Sequence, residues 1–250
     1  MTYADIAFAA GFSSVRQFND TIREVYASSP TDLRGRRGGP RSATGTVTMR
    51  LAVRTPFAGR ALLDFLAYHL ITGVETAGDG WYARTLDLPH GPGTVRLDLS
   101  DAPTPGETAF VAATFELTDL RDTTAAVERA RRLVDADCDP LAVDDHFAGD
   151  PVIGPLARTT PGLRVPGQVD GDEVAFRTVI GQQVSVVGAC TVTSRLVAEH
   201  GRPVTTSVPG LTHLFPSPAV LAGLSPEDLP MPRARGRAPG GPAYGGPAAR

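Results

Sequence analysis

Between Thr46 and Leu120 the apolar residues change period. Val47, Met49, Leu51 and Val53 alternate with polar neighbours, the two-residue repeat of a strand with one buried face. Val74 to Leu88, Thr94 to Leu99 and Phe110 to Leu117 also read as strands, with Gly78-Asp79-Gly80 and Gly91-Pro92-Gly93 supplying turns between them. Within the same stretch, Arg60 to Ile71 carries Leu62, Phe65, Leu66 and Leu70 on a helical face. Such a segment must fold as a mixed domain with an antiparallel sheet.

On either side the spacing is helical. Ile6, Ala7 and Ala10 share a face, Gly11 breaks the helix, and Ser13 or Ser14 can cap a second one through Phe18, Ile22 and Val25. Pro30 stops it, completing the outline of a helix-turn-helix. After Thr123, Val127, Ala130, Leu133 and Val134 share a face, and Ala142 to Arg158 reads as loop-like. Glu173 to His200 is the longest helical region, interrupted at Gly181 and followed there by the polar Gln182-Gln183. The class is α+β: a short helix-turn-helix, an antiparallel sheet with helices, then an all-α region. The expected divisions are 1–37, a linker at 38–45, 46–121, 122–230, and a Gly/Pro/Arg tail at 231–250 whose composition predicts disorder.

Composition removes several kinds of chemistry. All 24 basic residues are Arg, so neither a Walker phosphate lysine nor a Schiff-base lysine is present. The net charge of -3 gives no global positive field. Cys138 and Cys190 cannot form a disulfide framework or a four-cysteine zinc site. His69, His90, His146, His200 and His213 are scattered without metal-ligand spacing. Asp135, Asp137 and Asp139 lack the glycine and glutamate of a calcium loop and read as helix-end caps. No apolar run reaches the ~18 residues of a membrane span, and no charged-then-apolar leader opens the chain. The expectations are a cytoplasmic monomer with no cofactor, no metal and no membrane partner.

Two resemblances sharpen the picture. Asp5-Ile6-Ala7, Gly11-Phe12-Ser13-Ser14, Phe18, Ser29-Pro30 and Leu33-Arg34 resemble the second helix-turn-helix of AraC-type regulators. The string Arg16-Gln17-Phe18-Asn19-Asp20 is most similar to the version in adaptive-response proteins that sense DNA alkylation. The match covers about the last half of that two-motif domain, and Ala27 stands where the family usually has Gly. From Thr46 to about Arg237 the chain resembles the 3-methyladenine DNA glycosylase II family of the helix-hairpin-helix superfamily. The matching strings are Phe65-Leu66-Ala67, Gly73-Val74-Glu75, Trp81-Tyr82-Ala83-Arg84, Cys138-Asp139-Pro140, Pro161 to Gly167, and Ile180-Gly181-Gln182-Gln183-Val184-Ser185.

The resemblance implies an enzyme that flips an alkylated purine out of double-stranded DNA and hydrolyses its N-glycosidic bond without a cofactor. It places Phe65 in the aromatic wall of the base pocket, where periodicity alone reads a core phenylalanine. It places Gln182, Gln183, Val184 and Ser185 in a loop that enters the duplex, where local sequence reads only a solvated turn. It places Ser14, Arg16, Gln17 and Asn19 at the start of a DNA-reading helix, against a plain surface helix. Glu75 lies in a strand string and is not assigned to catalysis. The family's catalytic hairpin and aspartate lie downstream of Phe215-Pro216, and the family-like text stops around Pro232 to Ala238. The expectation is therefore an incomplete helical domain with no catalytic residue, from a frameshift or truncated gene model. The other reading is a non-catalytic DNA-binding regulatory fragment.

Overall fold

A computed structural model describes residues 2–26, 29–31 and 45–225. Most of the expected linker and the whole Gly/Pro/Arg tail lie outside these residues. Helix α1 (Tyr3–Ala9) and helix α2 (Val15–Tyr26) flank Gly11, whose φ of 83° a side chain would strain. Ala7 and Phe18 are buried, and Phe12 meets Phe18 edge-on with ring centroids 5.4 Å apart.

The alternating segment forms strand β1 (Gly45–Arg54). Helix α3 (Gly59–Tyr68), strands β2 (Glu75–Gly78), β3 (Trp81–Leu88), β4 (Gly91–Asp98) and β5 (Thr108–Leu117) follow. They make one antiparallel sheet in the order β1-β5-β4-β3-β2. Register is set by burial: Met49 opposes Ala113 and Leu51 opposes Val111, all on the inner face. That face packs under Leu62, Leu63 and Leu66 of α3 and under Ala126, Ala130 and Leu133 of α4 (Thr123–Leu133).

Two sequence readings need correction. The turn between β3 and β4 is Pro89-His90, not Gly91-Pro92-Gly93. Asp122 fixes that turn by accepting from the His90 backbone N–H at 3.0 Å and contacting its Nδ1 at 2.6 Å. Gly93 is a strand residue instead. A Cβ there would come within 2.9 Å of Leu88 Cδ1 and 3.0 Å of Leu117 Cδ2, so packing rather than turning requires the glycine. The loop-like stretch is also helical, as α5 (Pro140–Phe147) and α6 (Ile153–Thr159). Asp139 caps α5, with Pro140 in its first turn, and Asp150 accepts from the Val152 and Ile153 N–H groups at 2.8 Å each. Their apolar residues, such as Leu141, Val152 and Leu156, face outward, which hides the helical core pattern from a sequence reading.

Helices α7 (Gly171–Gly181) and α8 (Val186–His200) start at side-chain caps from Asp170 and Ser185. A two-stranded ribbon, β6 (Arg202–Pro203) and β7 (His213–Leu214), and α9 (Pro218–Ala222) close the described chain. Two small clusters hold this part: Ile71, Val74 and Val197, and Ile180, Leu196 and Leu221. Among the described residues no helix is long and apolar enough to cross a membrane, and no group of three metal-ligating side chains converges.

Candidate nucleic-acid interface

Helix α3 buries Leu62, Leu63 and Leu66 and turns Phe65 away from them, leaving Phe65 48% exposed. The core placement that periodicity suggests for Phe65 is therefore not the one observed. His69 ends the helix with its ring stacked on Phe65, centroids 4.1 Å apart at 28°. Its Nδ1 lies 2.7 Å from the Phe65 carbonyl oxygen. Tyr68, 61% exposed, meets the His69 ring edge-on at 5.2 Å. The result is an exposed aromatic shelf. Tyr68 and His69 were not singled out from the sequence, although their spacing of three and four from Phe65 puts all three on one side of a helix.

The segment after this shelf anchors both later helices. Glu75 is buried. It accepts from the Ile71 N–H at 2.8 Å, the Tyr82 hydroxyl at 2.9 Å, Arg84 Nη1 at 3.1 Å and Arg177 Nη1 at 2.9 Å. Glu173 on α7 accepts from Arg84 Nη2 at 2.6 Å and from Arg177 Nη1 at 3.0 Å. Arg177 Nη2 donates to the His69 carbonyl at 3.0 Å. Burial alone would push the Glu75 carboxyl up, but the charges of Arg84 and Arg177 outweigh it and hold it below its ordinary value. Burial, then the charge of Glu75, pushes the Tyr82 hydroxyl well up, so it stays a neutral donor. Every carboxylate in this cluster faces guanidinium groups, so Glu75 is a structural anchor and not a general base. Nothing in the sequence pairs Glu75 with Glu173, nearly a hundred residues away.

Between α7 and α8 the chain makes an exposed turn. Gln182, Gln183, Val184 and Ser185 all face solvent, and Gln183 adopts φ 58°. The Ser185 hydroxyl accepts from the Gly188 N–H at 3.1 Å and so starts α8. The same α8 is fixed to the shelf segment, because Ser194 Oγ accepts from the Thr72 N–H at 3.0 Å and Val197 packs on Ile71 and Val74. Residues 69–75 thus bind the helix before the turn through Arg177 and the helix after it through Ser194. The same segment therefore touches the helices on both sides of the 182–185 turn.

The N-terminal candidates are a separate group. Ser14 caps α2 by accepting from the Gln17 N–H at 3.1 Å, while Gln17 Oε1 accepts from the Ser13 N–H at 3.2 Å and its hydroxyl at 2.8 Å. This is a capping box displaced by one residue. It engages Ser14 and Gln17 in holding the helix start. Arg16 is 93% exposed and 3.8 Å from Asp20, and Asn19 is half-buried. Helix α2 lies against α1 and β1. A further cavity of about 150 Å³ is lined by Arg84, Asp170, Asp172, Glu173 and Phe215 among others. Asp170 is engaged there as the α7 cap, accepting from the Asp172 N–H at 3.0 Å and the Glu173 N–H at 3.1 Å.

Comparison with known proteins follows the same outline. Residues 48–170 match the family described as the AlkA N-terminal domain. A Mycobacterium tuberculosis protein described as a probable bifunctional transcriptional activator/DNA repair enzyme AlkA is 44% identical over 241 residues, 95% of this chain and 47% of that protein. Escherichia coli DNA-3-methyladenine glycosylase 2 is 30% identical over 174 residues, 70% of this chain and 57% of that enzyme. The chain thus spans about half the length of the curated relatives it matches. Among solved structures, a 3-methyladenine DNA glycosylase from Archaeoglobus fulgidus superposes with a TM-score of 0.63 at 16% identity, covering 76% of this chain and 64% of that one. A Clostridium acetobutylicum 8-oxoguanine glycosylase/lyase bound to double-stranded DNA gives 0.53 at 13% identity, over 78% and 60% of the two chains. These structural likenesses concern the fold.

Proposed function

We propose, since the chain belongs to the AlkA glycosylase family through the N-terminal domain at residues 48–170, that it engages duplex DNA carrying alkylated purines by holding an extrahelical base on Phe65. A ring-methylated purine is cationic, so an exposed aromatic face attracts it by stacking and cation–π interaction together. The 182–185 turn fills the space that the base leaves, with Gln183 or Val184 at its tip and Gln182 and Ser185 at its sides. The observation that carries this reading is the segment 69–75, which follows the aromatic shelf and touches the helices on both sides of the exposed turn.

In the whole family the reaction is hydrolysis of the N-glycosidic bond. An aspartate stabilises the positive charge developing on the sugar while water attacks. The alkylated base is already a good leaving group, so no strong general acid is required. None of the acids in these 250 residues stands in the family's hairpin-aspartate motif. Asp170 is committed to capping α7 and Glu75 to the arginines. The described residues are therefore assigned to recognising the lesion, and no catalytic carboxylate is assigned among them. The chain acts as a cytoplasmic monomer and takes no cofactor.

The N-terminal helix pair is an AraC-type reader, with the exposed Arg16 able to exchange its loose contact to Asp20 for a base edge or phosphate in the major groove and Asn19 beside it. A second reading makes this reader the working part and the chain a regulatory DNA-binding protein. The intact cap on α2 favours it. Fluorescence anisotropy with alkylated and unmodified duplexes decides between the two. The glycosylase reading predicts a preference for alkylated DNA that Phe65→Ala removes. The regulatory reading predicts sequence-dependent binding that Arg16→Ala removes and Phe65→Ala leaves intact.

A further inference from the structure

A helix ends in carbonyl groups that have no partner within it, and at the end of α3 the His69 carbonyl is met from another helix. Arg177 on α7 donates to it through Nη2 at 3.0 Å. Its Nη1 donates to Glu75 at 2.9 Å and to Glu173 at 3.0 Å. One guanidinium thus joins the end of α3, the start of β2 and the body of α7. Burial alone would lower its pKa, but the charges of Glu75 and then Glu173 outweigh that and hold it above its ordinary value. A cation at this place also faces the negative end of the α3 dipole. Arg84 shares both carboxylates but reaches no part of α3: Nε, Nη1 and Nη2 go to the Thr85 carbonyl, Glu75 and Glu173. The two helices share no extended packing. Helix α3 buries Leu62, Leu63 and Leu66 in the sheet core, whereas α7 buries Ile180 with Leu196 and Leu221. Among the described residues, Arg177 is the side chain that hydrogen-bonds α7 to the end of α3.

We propose that Arg177 is a positioning residue for base displacement: it sets the end of α3, and with it Phe65, against the end of α7 from which the 182–185 turn leaves, so that shelf and turn engage the same nucleotide. This rests on the reading of Phe65 as the base shelf and of the turn as the segment that enters the duplex, and it adds the residue that aligns them. His69 follows Phe65 by about one helical turn, and Arg177 precedes Gln182 by little more than one. The contact between them therefore lies close to both surfaces. Arginine suits the task because its planar fork points Nη1 and Nη2 at different acceptors in fixed directions, which a single ammonium cannot do. Arg177 acts through the His69 carbonyl and the two carboxylates, and no contact with DNA is assigned to it.

A duplex with 2-aminopurine beside 3-deaza-3-methyladenine, a base that resists hydrolysis, tests this together with an unmodified duplex of the same sequence. Fluorescence at saturating protein reads displacement of the lesion, and anisotropy reads binding to the unmodified duplex. Both are measured well below the unfolding midpoint of each variant. Arg177→Met keeps an apolar stem and leaves Arg84 beside both carboxylates. It should cut the fluorescence rise about tenfold, the effect of losing one charge-assisted hydrogen bond, with affinity for the unmodified duplex unchanged. Arg177→Lys keeps the cation without the fork and should restore part of the rise. A rise of wild-type size in both variants, still abolished by Phe65→Ala, overturns the role of Arg177 and leaves the shelf intact. Equal losses of affinity for both duplexes in Arg177→Met would confine Arg177 to folding and overturn the role as well. A wild-type rise that Phe65→Ala does not reduce, or no wild-type rise at all, overturns the shelf reading itself.

Discussion

The sheet of β1 to β5 buries Leu51, Leu97, Val111 and Phe115 beneath α3 and α4. Helices α5 and α6 leave Leu141, Val152, Ile153 and Leu156 exposed. Both regions have apolar residues at regular spacing, yet only the first assembles them into one continuous core. The sheet region satisfies its own apolar face, because every inward strand residue meets another strand or a covering helix. The later helices are held to it at a few points instead, by a buried ionic cluster, a serine hydrogen bond and two small apolar clusters. The interface proposed for DNA lies at this joint, where Phe65 and residues 182–185 are exposed.

The largest effect should come from breaking the ionic cluster. Arg84→Ala removes the buried guanidinium between Glu75 and Glu173, leaving both carboxylates to Arg177 alone, and should cost about 3–5 kcal/mol. Urea unfolding should then separate into two transitions, with the helices after Gly171 melting first. A single unshifted transition would show that the cluster does not couple the regions. Next come core truncations. Leu97→Ala, inside the sheet core, should cost about 2–5 kcal/mol, whereas Leu156→Ala, 65% exposed, should stay within about 0.5 kcal/mol. Comparable losses at both positions would erase the contrast between the regions.

A smaller effect concerns acid. The Glu75 carboxyl in the folded chain is held below its ordinary value of 4.5. The stability it contributes is present above that ordinary value and is lost as pH falls through the lower folded value. The thermal midpoint should hold from pH 7 to about 5 and then drop, and Glu75→Gln should flatten that drop while lowering the midpoint at pH 7. A variant with the wild-type acid profile would remove Glu75 from the account. The smallest effect is electrostatic. With Arg16, Arg23, Arg34, Arg36, Arg37 and Arg41 meeting ~4 phosphates, log-log salt dependence of DNA affinity should have a slope of about -3 to -4. Arg16→Ala should reduce its magnitude by about 1. Salt-independent binding would exclude this basic segment as a DNA contact.

The contrast also explains what the sequence could reveal. Val47, Met49, Leu51 and Val53 disclosed β1 because they alternate toward one face of the sheet, and Gly181 disclosed the break between α7 and α8 because the polar Gln182-Gln183 follow it. The helices at Leu141 and Leu156 stayed hidden because their apolar residues lack a core to face, although the Asp139-Pro140 pair was a readable start signal. Gly93 misled because a glycine required by side-chain packing looks like a glycine required by a turn. At the site, Gln182-Gln183 was visible as a polar break in a helical region, whereas Phe65 fitted the core periodicity and was marked only by the family resemblance. The arginine–glutamate cluster was not, because it joins residues remote in sequence through buried side chains. His69 stood in plain view, but only its three-point anchoring distinguishes it from the other scattered histidines.

The central claim is that Phe65 and the 182–185 turn act together on one displaced nucleotide. A duplex carrying 2-aminopurine immediately beside 3-deaza-3-methyladenine reports unstacking at the lesion as a rise in fluorescence. The account predicts a severalfold rise on adding the wild-type chain, lost in a Gln183→Ala/Val184→Ala double variant and equally in Phe65→Ala, with neither change altering the unfolding midpoint. A rise that survives both variants, or fluorescence that stays flat while the wild-type chain binds, would contradict it.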